Sequence, residues 1–302
     1  MKRLMTMAPV LLSLALLSGA AHAEPSQSAV SAEAKKELVR RVDAGKAQAP
    51  AMFSRLSKLR DDMPKLDARK RGRYAVIAPS LHALGKDALL PMLDMLVLHE
   101  ADDANMTEEV RVAWRVGLLE AVANQREAFA APYAAAVLDG TEKDASVLRA
   151  AALVLAQAPG DAWEQKLVTI ALNKSDARRT PVVSALGARR TVRAADTLGQ
   201  VLSASLADAE LAHTAVDALG RLGSSWGFRA LGVDGSEVRA ACARALVPAY
   251  LKSRGELQAD VLAALSMLES PESTRLLSAA RAQADETTRK AIDVATARLA
   301  GK

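Results

Sequence analysis

Asp144-Ala-Ser-Val-Leu-Arg-Ala-Ala-Ala-Leu-Val-Leu-Ala156 is the stretch on which the fold class turns. Counted from Leu148, apolar residues return at Ala151, Ala152, Leu155 and Ala156, at spacings of three, four, seven and eight. That is the stripe of an α-helix that buries one face. Asp144 stands where a carboxylate meets the free N–H groups of a helix start. The alanine pair leaves room for a neighbouring helix to approach closely.

The same arrangement recurs along the chain. Val110 leads to Ala113, Trp114, Gly117 and Leu118, and Val238 to Ala241, Cys242, Ala245 and Leu246. Leu211 leads to Thr214, Ala215, Ala218 and Leu219, then to Gly220 and Gly223. Arg178-Arg179 precedes Pro181, Val182, Ala185, Leu186 and Gly187. The starts at 110, 148, 178, 211 and 238 lie about 27 to 38 residues apart. Second helices fit between them, at Trp163–Leu172 and Val192–Leu206. One amphipathic hairpin of this size cannot bury its own stripe, whereas stacked hairpins share a continuous core. Over Ser224–Gly235, Gly227 and Gly232 interrupt the pattern and predict a short or broken helix.

Acidic caps leading into Val-Arg-x-Ala-Ala helices resemble HEAT repeats, in particular the bacterial HEAT-like class named after phycobilisome lyases. Asp144-Ala-Ser-Val-Leu-Arg-Ala-Ala and Asp234-Gly-Ser-Glu-Val-Arg-Ala-Ala carry the resemblance most clearly. Asp208-Ala-Glu-Leu-Ala-His-Thr-Ala lacks the Arg. The resemblance covers roughly 70–300 and implies an all-α fold: a right-handed α-solenoid, or superhelix, of six or seven stacked antiparallel helical hairpins. The spacing of Trp, Leu-Gly and Tyr that marks tetratricopeptide repeats is missing.

Composition agrees with helices. Ala makes up roughly a fifth of the 302 residues, half are hydrophobic, and aromatics reach only 3%. Sheets favour the β-branched and aromatic types that are scarce here. A single Cys excludes a disulfide framework and cysteine-rich metal sites.

Residues 1–23 read as a cleaved signal peptide, with basic Lys2 and Arg3, an apolar run over 10–17 and Ala21-His22-Ala23 at the cut. The expected organisation continues with a flexible leader over 24–36, charged capping helices over 37–69 with Pro50 and Pro64 as breakers, and the repeat domain over 70–302. The apolar run is short for a membrane span, and no later segment reaches that length uncharged. The mature chain is therefore expected in a periplasm or secreted. Loss of Lys2 and Arg3 brings the formal charge from +5 to +3, a balance that permits weak attraction to anionic envelope polymers without demanding it. An exported protein rarely meets nucleic acid, so no nucleic-acid partner is expected.

No P-loop, Gly-x-Ser-x-Gly or Gly-x-Gly-x-x-Gly is present, and no cofactor is implied. His82, His99 and His213 lie far apart. The run from His99 to Asp103 is the one tempting metal cluster and reads as a solvated loop. Cys242 falls on the buried stripe and reads as a packed thiol. Two basic groups are candidates for binding. The first comprises Lys65, Arg69, Lys70, Arg71 and Arg73; the second comprises Arg178, Arg179, Arg189, Arg190 and Arg193. At equivalent repeat positions they would form one stripe able to hold an anionic envelope polymer. Arg111, Arg149 and Arg239, which follow the stripe's Val or Leu, are expected to brace neighbouring repeats through carboxylates. The function that follows is a non-catalytic scaffold binding a protein or peptide in the cell envelope, with polymer binding as the alternative and an enzyme with an unrecognised site behind both.

Overall fold

The computed structural model describes residues 30–73, 75–100, 103 and 106–301. Every regular element among them is helical. The segment read as a signal peptide lies outside the described residues.

Among the described residues the first helices are α1 (Ala32–Gln48), α2 (Pro50–Asp61) and α3 (Met63–Asp67). The leader therefore ends earlier than expected. Ser31 Oγ accepts from Ala34 N at 3.2 Å, so a side-chain cap starts α1 inside the stretch assigned to the leader. Pro50 and Pro64 sit in the first turns of α2 and α3, where the missing N–H costs nothing. Next come α4 (Ala78–His82) and α5 (Leu89–Leu93), which runs into a π-turn over Asp94–Leu98.

From there the helices are α6 (Glu108–Gln125), α7 (Ala131–Asp139), α8 (Ala145–Gln157), α9 (Asp161–Leu172), α10 (Arg179–Leu186) and α11 (Val192–Ala204). They continue with α12 (Ala209–Leu222), α13 (Ser225–Leu231), α14 (Ser236–Lys252), α15 (Gly255–Leu268), α16 (Pro271–Arg281) and α17 (Glu286–Leu299).

Alternate helices pack on one another. α6 packs on α8, α8 on α10, α10 on α12 and α12 on α15. A second row runs from α9 to α11, α14 and α16. Contacts of α7 with α8, α8 with α9, α11 with α12 and α14 with α15 join the rows. The alternation skips α13, the seven-residue helix in the glycine-interrupted stretch. That helix is an extra element between two members of a regular series.

Small residues set the approach within each row. A methyl on Gly187, which closes α10, would stand 2.9 Å from Cα and from the carbonyl oxygen of Ala218 in α12. A methyl on Gly199 of α11 would stand 2.8 Å from Ala245 Cβ in α14. Two buried phenols hold the outer helices. Tyr133 of α7 donates to the Ala34 carbonyl in α1, and Tyr250 of α14 to the Ala291 carbonyl in α17, each at 2.9 Å.

Gly187 has an ordinary helical backbone, so replacing it tests contact alone. Gly187→Ala is expected to destabilise the protein by about 1–3 kcal/mol, because the obstructing atoms are backbone and cannot rotate away. Urea unfolding followed by far-ultraviolet circular dichroism measures the loss.

Candidate functional site

The arginines of the second basic group are largely turned to structural work. Arg178 pairs with Asp176 at 2.7 Å and Asp139 at 3.0 Å, and donates to the Leu138 carbonyl near the end of α7. Arg179 donates to Ala171 O at the end of α9, at 2.9 Å. Arg189 reaches Ala158 O at 2.6 Å and Gly160 O at 2.9 Å, and its Nε meets buried Glu164 at 3.2 Å. Arg190 donates to Leu222 O at the end of α12 and lies 4.9 Å over the Phe228 ring. All four are half-buried, and Arg193 alone of the group is exposed.

The carbonyls at a helix end have no partner within the helix and carry partial negative charge. These guanidinium groups supply what the ends lack. The first basic group keeps its own partners: Lys65 holds Asp62 at 2.8 Å, Lys70 holds Asp67 at 2.9 Å, and Arg73 holds Asp144 at 2.7 Å. Arg69 and Arg71 are exposed.

The three arginines expected to brace through carboxylates divide. Arg149 of α8 meets Glu120 of α6. Arg239 of α14 instead donates to the Leu268 and Glu269 carbonyls at the end of α15, at 3.3 and 3.2 Å. Arg111 pairs with Glu108, one turn back on its own helix.

A cleft of about 670 Å³ lies where α1, the π-turn, α6 and the end of α7 meet. Arg111 and Arg115, one turn apart on α6, enter it. Arg115 is only 8% exposed. Its Nη1 donates to Glu100, and its Nε faces Glu142 at 3.6 Å. Glu142 also accepts from the backbone N–H groups of Lys143 and Asp144, both at 2.8 Å, which curls the α7–α8 loop around it. Asp144 then caps α8 through Ser146 N at 2.8 Å and Val147 N at 3.2 Å. Leu96, Val97, Ala136 and Val137 give the cleft its apolar wall.

Asp103 corrects the expectation of a solvated loop. It is buried and pairs with Arg60 at 3.1 Å. Burial pushes its carboxyl up from the ordinary value, against the pull of Arg60 and Arg115. His99 Nε2 lies 3.5 Å from buried Asp94, which also holds Lys46 at 3.0 Å. Among the described residues no three of His, Cys, Asp and Glu are grouped to hold a metal ion. His213 pairs with Asp260 at 2.7 Å, between α12 and α15, and His82 is exposed. Cys242 is fully buried, and burial, aided by Asp196, pushes its thiol up to about 12.

The sequence reading passed over Arg115. Its signal was an arginine inside the run from Val112 to Leu119, whose neighbours are all buried.

The fold defines an all-helical protein. No protein-family model matches the chain, and neither a curated protein nor a solved structure matches it.

Two outcomes follow from these contacts. Arg189→Ala strands Glu164 without its cation and is expected to cost about 3–5 kcal/mol, whereas Arg193→Ala leaves the unfolding midpoint unchanged; denaturant titration of both separates brace from free cation. A thiol about three pH units above its ordinary value reacts about a thousandfold more slowly than an open one at the same pH. Cys242 is therefore expected to take a disulfide reagent at pH 8 only after denaturant is added.

Proposed function

We propose that the chain is an exported, non-catalytic α-solenoid of HEAT-like helical hairpins that binds a protein or peptide partner in the cell envelope. The observation that carries this reading is the alternate packing of α6, α8, α10, α12 and α15 beside α9, α11, α14 and α16. In such a series each hairpin depends on its neighbours alone, and the product is a long, rigid surface suited to an extended partner. Export rests on the composition of residues 1–23. Among the described residues no helix is long and apolar enough to cross a membrane.

A protein partner is favoured over an anionic polymer for two reasons. Arg178, Arg179, Arg189 and Arg190 are engaged with carbonyls, carboxylates and an aromatic ring. The extra helix α13 and the residues after it also expose apolar groups, with Trp226 71% and Val233 54% accessible. Exposed aromatic and aliphatic surface of this kind marks protein contacts.

Affinity capture with tagged residues 24–302 from envelope extract, eluted in rising salt, tests the reading. A stoichiometric protein retained through moderate salt is expected. Polymer alone, released at low salt, would replace the scaffold with charge-driven surface binding.

A further inference from the structure

Arg115 is buried, yet its hydrogen bonding is incomplete. Its Nε finds no hydrogen-bond partner among the described residues, since the nearest Glu142 oxygen stands 3.6 Å away. Among the described residues the carboxylate that accepts a hydrogen bond from it is Glu100, whose side chain is 57% exposed. A guanidinium removed this far from water calls for a carboxylate that engages it in parallel, two N–H groups to two oxygens. Glu100 meets it from the solvent side and is the removable partner; Glu142 is fixed in place by two backbone N–H groups.

Beside the arginine the cleft offers the apolar wall of Leu96, Val97 and Val137. Its lining also carries side chains of both signs, Glu108 and Asp144 with Lys35 and Lys143. A bare hydrocarbon chain would lie against those charges and satisfy none of them. A peptide backbone carries both donors and acceptors, and so meets both signs.

We propose that this cleft captures the free C-terminus of a peptide ending in an aliphatic residue. The terminal carboxylate takes the place of Glu100 on Arg115, and the last side chain packs on Val97 and Val137. This rests on the reading of the protein as a partner-binding scaffold and names the chemistry of the partner's end. Glu100 then acts as a built-in competitor that a ligand must displace.

Fluorescence anisotropy with a labelled hexapeptide ending in Ala-Val-Leu tests the assignment on the purified protein. The free acid is expected to bind, and the same peptide with an amidated end about tenfold more weakly, because it loses a charge-assisted pair. Glu100→Gln is expected to bind the free acid about threefold more tightly, since a partly exposed ion pair no longer competes. Val137→Glu, with helicity checked by circular dichroism, is expected to abolish binding. Equal affinity for acid and amide would overturn the proposal, as would absence of binding to both the unaltered protein and Glu100→Gln. Octanoate competing as strongly as the peptide would overturn the peptide assignment. A partner captured from envelope extract equally well by Val137→Glu would remove this cleft from the interface and leave the scaffold reading standing.

Discussion

A chain divided into many short helices must find partners for the ends of each one. Four N–H groups at every start and four carbonyls at every finish lie beyond the reach of the helix's own ladder. Here seven of the starts are served locally: Ser31, Thr107, Asp144, Thr191, Asp208, Ser224 and Asp285 each accept a backbone N–H two or three residues ahead. Several finishes are served from a neighbouring helix, by Arg178, Arg179, Arg189, Arg190 and Arg239. Arg221 does the same for the Ser184 carbonyl in α10, at 3.0 Å. Each such arginine neutralises the negative pole of one helix while fixing the distance to another, so capping and packing become a single interaction.

That constraint governs how the protein's charge should be understood. Forty lysines and arginines give a positive formal balance, but many of the arginines point into the seams between helices. The exposed surface is consequently less basic than the composition implies. Its distinctive features are the apolar exposure on α13 and the cleft around Arg115. Both occur where the regular series is disturbed: α13 is the extra helix, and the cleft sits beside the π-turn at the end of α5.

The sequence made one class of contact legible and concealed another. Helix starts and buried stripes are local properties, carried by residues within one or two turns, and Asp144, Asp208 and Cys242 stand where their spacing places them. Asp234 shifts slightly. Gly235 takes the position before α14, while the Asp234 carboxylate still accepts from Ser236 N at 2.9 Å. The short α13 was likewise legible, from Gly227 and Gly232. The arginines were not, because the carbonyl that receives a guanidinium lies 29 to 40 residues away in the cases of Arg239, Arg189 and Arg178. No periodicity within a helix encodes that distance. Asp103 was hidden for the same reason, since its partner Arg60 belongs to α2. The cleft draws its walls from α1, the π-turn, α6 and α7, and only the tertiary arrangement assembles them.

Among the described residues α1 and α17 are the first and last helices. Such members ordinarily loosen before the middle does. Tyr133 and Tyr250 oppose that loosening by bonding to main-chain carbonyls of α1 and α17, in addition to the packing of those helices on α5 and α16. For a protease to reach either helix as an opened strand, one tyrosine hydrogen bond has to break together with the helix's packing.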